Sequence, residues 1–212
     1  MSKIKQVKGR QVFDSRGNPT VEAEIILENG LTGTAIVPSG ASTGRHEAHE
    51  LRDNNKDYLN KSVFDAVNNI NNKISKTLIN KNSTEQSEID KILINLDGTD
   101  NKSNIGANAI LAVSIANLKA AAKFDNKEIY RFLNNKTNST FSMPYPLMNI
   151  INGGAHANNS LEIQEFMIRP DGAKNFNECM QMSFLVIQNL KKNLENKNIS
   201  TSVGDEGGFE IG

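Results

Sequence analysis

The 212-residue chain has a single cysteine, Cys179. One thiol excludes an internal disulfide and fits a reducing compartment. Net charge is also missing, because 24 basic and 24 acidic side chains cancel. No basic field therefore favours nucleic acid or an anionic membrane surface. No apolar run approaches the roughly 20 residues that span a bilayer. Residues 1–10 are polar and lack the apolar centre of a secretory leader, so the expected location is cytoplasmic. One further lack is local. The stretch "VPSGASTGRHEAHE", residues 37–50, is small and hydroxylated like a phosphate cradle. Arg45 and His46 nevertheless follow Gly44 where a nucleotide loop needs Lys and Ser/Thr.

What is present reads as two regions. Residues 3–37 predict antiparallel sheet: in "TVEAEIILENG", Val21, Ala23, Ile25 and Leu27 alternate with Glu22, Glu24 and Glu28. Asn29-Gly30 predicts a two-residue hairpin turn. From Val63 the period changes, and Val63, Val67, Ile70, Ile74 and Leu78 share one helical stripe. Ser83 and Gln86 have the spacing of a capping box opening a helix with Ile89, Ile92, Leu93 and Leu96. "GANAILAVSIANLKAAA" is apolar or small nearly all round, which predicts a helix buried on most faces. Strands followed by helices give an α+β domain over 1–135. A polar, proline-closed linker covers 136–145. From 146 to 212 the order is strand, strand, helix, strand, with polar residues gathered where strands finish. That is how a β/α (TIM-type) barrel begins, and such barrels carry their chemistry at strand ends. A whole barrel takes about 250 residues, so this region reads as an incomplete one.

Three clusters offer chemistry. Glu165, in "IQEFMI", alternates onto the face of Ile163 and Met167, where a core would lie and an unpaired carboxylate would cost several kcal/mol. A solvent-facing edge strand is the competing reading. Asp205-Glu206, in "VGDEGGF", is either an ordinary acidic turn or a carboxylate beside glycines that admit a ligand. His156 follows a glycine pair in "NGGAHANN", and a loop histidine is more often solvated than catalytic. "HEAHE" lacks the zinc-protease spacing, which leaves His46 and His49 as surface residues.

The segments "DSRGNPTVEAE", "VPSGASTG", "LDGTDNKSNIGANAILAVS", "MNIINGGAHANN", "IQEFM" and "VGDEGGF" together closely resemble the enolases, in the family's order. The likeness covers the family's N-terminal domain and the opening of its barrel. It implies a Mg²⁺-dependent hydro-lyase that dehydrates 2-phospho-D-glycerate to phosphoenolpyruvate. A lysine or histidine base working with one or two Mg²⁺ is the known pattern of the enolase superfamily. The resemblance assigns Glu206 as general acid and Glu165 as its neighbour at the departing hydroxyl. It makes Gln164 and His156 substrate-binding residues, and puts Ser42, on a lid, at the second Mg²⁺. It also implies 2-phosphoglycerate and phosphoenolpyruvate as partners, a homodimer, no nucleic acid and no membrane span. Family members are also found secreted and at cell surfaces.

Some positions depart from the family. Arg45 and His49 stand where other residue types are usual, "DNKEIYRFLNN" keeps only part of the Tyr-Arg block, and Glu210-Ile211 follows Phe209 where Ala-Pro is typical. The family's lysine base, primary Mg²⁺ carboxylates and phosphate-gripping basic residues belong to a region beyond these motifs. The chain is therefore expected to be a fragment, inactive alone. The alternative is a non-catalytic dimerisation or surface-binding module.

Overall fold

A computed structural model describes residues 2–40, 43–137 and 140–211. The chain divides into two compact units, Met1–Ser139 and Thr140–Gly212, while helix α5 (Ile129–Thr137) runs up to the division. In the first unit β1 (Ile4–Phe13), β2 (Pro19–Leu27) and β3 (Thr32–Ile36) form an antiparallel sheet in that order. The alternation in β2 is realised, with Val21, Ala23, Ile25 and Leu27 fully buried. Burying such aliphatic side chains is worth about 1.5–3 kcal/mol each. Glu22 and Glu24 take the other face and meet Arg10 of β1 at 2.6 and 3.1 Å.

The turn after β2 differs from the two-residue expectation. Leu27 N–H bonds the Leu31 carbonyl and Gly30 N–H bonds the Leu27 carbonyl, so three residues, Glu28, Asn29 and Gly30, make the connection. Gly30 has φ +85°, the left-handed residue that closes a three-residue hairpin.

The predicted stripe from Val63 is a continuous helical rod. It consists of α1 (Phe64–Asn69), a π-helical turn (Ile70–Ile74) and α2 (Ser75–Leu78). Ile70, Ile74 and Leu78 are fully buried, and Ile70 lies directly against Gly9 of β1. One turn position on, Asn71 accepts from the Gly9 N–H at 2.8 Å and donates to its carbonyl at 3.1 Å. That pair occupies the outer edge of the sheet, where unpaired backbone would invite another strand.

The capping box does not form at α3 (Gln86–Asp97). Its N-terminal residue, Glu85, makes no side-chain cap. Ser83 instead donates to the Asn117 carbonyl, and Gln86 bonds Asp90, Ser114 and Asn117. Both side chains are buried against α4 (Ala107–Phe124), whose polar partners outbid the local cap. Helix α4 buries Ala109, Ala112, Val113, Ala116 and Ala120, and its small side chains let it lie directly on the sheet at Gly33. The loop from α3 to α4 is organised by Asp97, which accepts from the backbone N–H of Thr99 at 3.0 Å and of Ile105 at 2.7 Å. Burial alone would raise the Asp97 carboxyl, but these bonds and that of the Thr99 hydroxyl hold it below the ordinary carboxylate range.

In the second unit β4 (Met148–Asn152) pairs antiparallel with β5 (Glu165–Ile168) and parallel with β6 (Phe209–Glu210), in the order β5-β4-β6. Helix α6 (Phe176–Asn196) connects β5 towards β6 and starts at Asn175, whose side chain accepts from the Glu178 N–H. The β4–β6 pair is parallel as in a β/α barrel and the β4–β5 pair is not; among the described residues no barrel closes. Of the two readings of β5 the edge strand holds, and one expectation about the acidic pair needs correction. Ile163 and Met167 are 55% and 50% exposed, because β5 is an edge strand and the described residues of this unit do not cover that face. Also, the strand pairing with β4 follows the acidic pair rather than preceding it. Val203 and Phe209 bridge antiparallel, so Asp205-Glu206 sits at the tip of a hairpin.

Candidate active site

Strand β4 ends at Asn152, which is fully buried, and two glycine-bearing loops cross it. The first begins with Gly153-Gly154. A side chain at 153 would strike the carbonyl oxygens of Ile163 and Leu161 at 2.4 and 2.7 Å, so only glycine permits the approach. Gly153 and Gly154 donate to the carbonyls of Gln164 and Leu161, which pins the neck of the loop. The 3-10 turn Gly154–His156 then brings His156 back over the start of β5. The second loop is the 203–209 hairpin, closed by the Gly204 N–H on the Gly208 carbonyl and by Gly207 at φ +81°. A side chain at 208 would lie 2.1 Å from Asn152 Oδ1. Gly208 thus brings the hairpin onto the Asn152 side chain, while the first loop reaches the same residue through Asn159, whose side chain donates to the Asn152 carbonyl at 3.0 Å.

The consequence is a convergence of side chains distant in sequence. His156 Nδ1 lies 3.0 Å from Glu165 Oε1 and 2.9 Å from Glu206 Oε2. Its other ring nitrogen meets the Gln164 carboxamide at 2.6 Å. With the amide NH₂ donating to Nε2, the proton of the neutral ring resides on Nδ1 and faces both carboxylates. Exposure falls from 38% at Glu206 to 22% at Glu165 and 7% at His156, so the cluster opens at its Glu206 side. The Glu165 carboxyl is raised above its ordinary value, first by hydrogen bonding with Glu206, then by desolvation and the Glu206 charge; His156 opposes this. Two acids this close do not ionise independently. A carboxyl that holds its proton more tightly than usual, beside a partly exposed neighbour, suits general-acid chemistry.

His156, Gln164, Glu165 and Glu206 are therefore brought together. Ser42 lies outside the described residues. The stem of its loop is held by Ser39, which donates to Glu50 at 2.8 and 3.0 Å, by Arg52 on Glu50 at 2.8 Å, and by Arg16 on the Ser39 carbonyl at 2.6 Å. His46 and His49 are exposed, as expected. Two residues were not anticipated. Asn149 donates to Asn152 at 2.6 Å and reaches Glu206 at 3.5 Å, and Asn152 supports both loops. Their only sequence signal is polarity inside an otherwise apolar strand.

Mg²⁺ takes oxygen ligands in tight octahedral geometry. The one donor group of suitable compactness among the described residues, His156 with Glu165 and Glu206, includes an imidazole nitrogen. That set does not fit Mg²⁺.

Comparison with known proteins gives the family. Residues 4–133 match the family described as "Enolase, N-terminal domain", and residues 140–211 match "Enolase, C-terminal TIM barrel domain". The protein named Enolase from Pelagibacter ubique (strain HTCC1062) is 63% identical over 210 residues, covering 99% of this chain and 50% of that relative. The chain thus spans about half the length of the curated relative it matches. Matches over both units, with 63% identity across nearly the whole chain, mean that the chain belongs to the enolase family.

Proposed function

We infer that this chain serves an enolase reaction, the reversible dehydration of 2-phospho-D-glycerate to phosphoenolpyruvate in glycolysis and gluconeogenesis. The observation that carries this reading is the meeting of Glu165 and Glu206 on one imidazole nitrogen. Loss of a hydroxyl next to a carbanionic centre needs a proton at the departing oxygen, and a positioned acid contributes about 10²–10⁴-fold. Glu206, at the open side, is the general acid, and Glu165 is its hydrogen-bonding neighbour. His156 fixes the two carboxylates, and Gln164 fixes His156 and faces the substrate. By the family pattern Ser42 would be a Mg²⁺ ligand, and the ion would supply positive charge where negative charge develops on the substrate. The base and primary metal carboxylates belong, by the family pattern, to the half of the relative that this chain does not cover. The chain alone is therefore inactive, and the working species is a cytoplasmic homodimer.

Ultraviolet absorbance of phosphoenolpyruvate tests both statements. The chain with Mg²⁺ and 2-phosphoglycerate gives no turnover. Fused to the second half of the Pelagibacter relative, it gives Mg²⁺-dependent turnover, which Glu206→Gln lowers by at least about 100-fold. Sustained turnover by the chain alone refutes its inactivity. A folded fusion without turnover, or one indifferent to Glu206→Gln, refutes the assignment.

A further inference from the structure

We propose that Lys119 and Lys123 guard the β3 edge of the first unit's sheet, and that without them this edge pairs with β3 of a second copy of this chain. Strand β3 lies at the end of the order β1-β2-β3. The Val37 N–H bonds the Val21 carbonyl, and the Leu27 N–H bonds the Leu31 carbonyl. The register between these points is unbroken. Odd-numbered residues of β3 therefore bond β2, and the backbone groups of Thr32, Thr34 and Ile36 face outward. Such a row is a template for an added strand. The segment "LTGTAIV", residues 31–37, carries no charge and no proline to discourage pairing, and Ile36 is half exposed.

The guard comes from helix α4. Lys119 Nζ donates to the Thr34 carbonyl at 3.0 Å, and Lys123 Nζ donates to the Thr32 carbonyl at 2.8 Å. The two repeats match. Four residues of helix advance about 6 Å, and two residues of strand advance about 6.6–6.8 Å. Lysines at i and i+4 on one helix face thus meet successive outward carbonyls. The close seat of α4 at Gly33 brings both stems within reach of the edge. The opposite edge, on β1, is closed differently. Ile4 exchanges backbone bonds of 2.9 Å with Asn80 and Lys81, and Asn71 bonds both backbone groups of Gly9. Two ammonium groups on long stems are what cover the β3 carbonyls. A second β3, running antiparallel about Thr34, presents the same backbone groups by twofold symmetry and competes for those carbonyls.

Sedimentation velocity of the full 212-residue chain tests this without any measurement of turnover, so its outcome is separate from that of the dehydration assay. Lys119→Met/Lys123→Met keeps both stems and removes both ammonium groups. It forms a reversible species of about twice the wild-type mass. In that species amide exchange at Thr34 slows at least about tenfold, because a new ladder bond covers its N–H. Adding Thr34→Pro restores the wild-type mass, since the N–H it removes faces outward and β2 keeps its bonds. Lys73→Met/Lys76→Met, the same change at two exposed lysines of the helical rod, sediments as wild type. Far-UV circular dichroism establishes that each variant is folded. Lys123→Met alone, an exposed change in the last turn of α4, associates more weakly and keeps the test decisive should the double variant unfold. Wild-type mass in both Lys119/Lys123 and Lys123 variants, unchanged exchange at Thr34, association undiminished by Thr34→Pro, or equal association of the Lys73/Lys76 variant overturns the proposal.

Discussion

The closest approach in the first unit, between Gly33 of β3 and helix α4, allows a quantitative test. In Gly33→Ala the new Cβ would lie 2.1 Å from the Ala116 carbonyl oxygen, 2.4 Å from Ala120 N and 3.0 Å from Ala120 Cβ. Ordinary contacts to carbon begin near about 3.5 Å, so α4 must withdraw by about 1.4 Å. The two nearest obstacles are backbone atoms, and no rotamer change removes them. Ala112, Val113, Ala116 and Ala120 would all lose contact with the sheet together. Inserting one carbon into a packed interior costs about 1–3 kcal/mol, and a clash with helix backbone belongs at the upper end. A loss of about 3 kcal/mol lowers the melting temperature of a unit this size by about 10 °C. The chain has no tryptophan, so unfolding is followed by far-UV circular dichroism in urea and on heating. Gly44→Ala is the control. Its nearest neighbour would be a flexible Glu47 oxygen at 3.8 Å, and its backbone is not left-handed, so stability stays within about 0.5 kcal/mol of wild type. Equal stability of Gly33→Ala and Gly44→Ala would refute the account of helix-on-sheet packing.

Two further perturbations test the electrostatics. Because hydrogen bonding with Glu206 is the first cause of the raised Glu165 carboxyl, Glu206→Gln lowers the Glu165 midpoint in a ¹³C carboxyl NMR titration; an unchanged midpoint would break the coupling argument. The native state binds the Glu165 proton more tightly than the unfolded chain. Its contribution to stability is therefore fully present below the ordinary carboxylate range and is lost as pH rises through the elevated native midpoint. Asp97 has the opposite sign. Its depressed carboxyl contributes stability above the ordinary aspartate range, which is lost as pH falls through the native value. Asp97→Asn should cost about 2–3 kcal/mol at pH 7 by removing a charged acceptor from two backbone N–H groups, and the deficit should vanish in acid. A deficit constant with pH would show that shape rather than charge matters at that position.

Much of the first unit was legible because its signals are local. Strand β2 alternates cleanly with one face on the core, and the Ala-rich run of α4 announces a helix approached closely on several sides. What local pattern could not reach was competition from elsewhere. Ser83 and Gln86 have the letters of a cap, yet α4 offers them Asn117 and Ser114, and tertiary partners prevail over the local motif. Asn29-Gly30 reads as a two-residue turn, and only the bond from Leu27 to Leu31 shows that Glu28 belongs to it. In the second unit, residue patterns left Glu165, His156 and Glu206 each with a bland reading as strong as the functional one. Family motifs singled them out, whereas their meeting depends on Gly153 lying against the Leu161 and Ile163 carbonyls and Gly208 against Asn152, contacts with no periodic trace.

That shared support at Asn152 ties the histidine and the hairpin acid to the same few atoms of one strand terminus. Any disturbance of β4 should move both partners at once instead of loosening one from the other. The titration midpoint of Glu165 then doubles as a gauge of whether the neighbouring backbone is seated. A chain whose β4 had slipped by one residue would reveal it first as an acid of unremarkable strength.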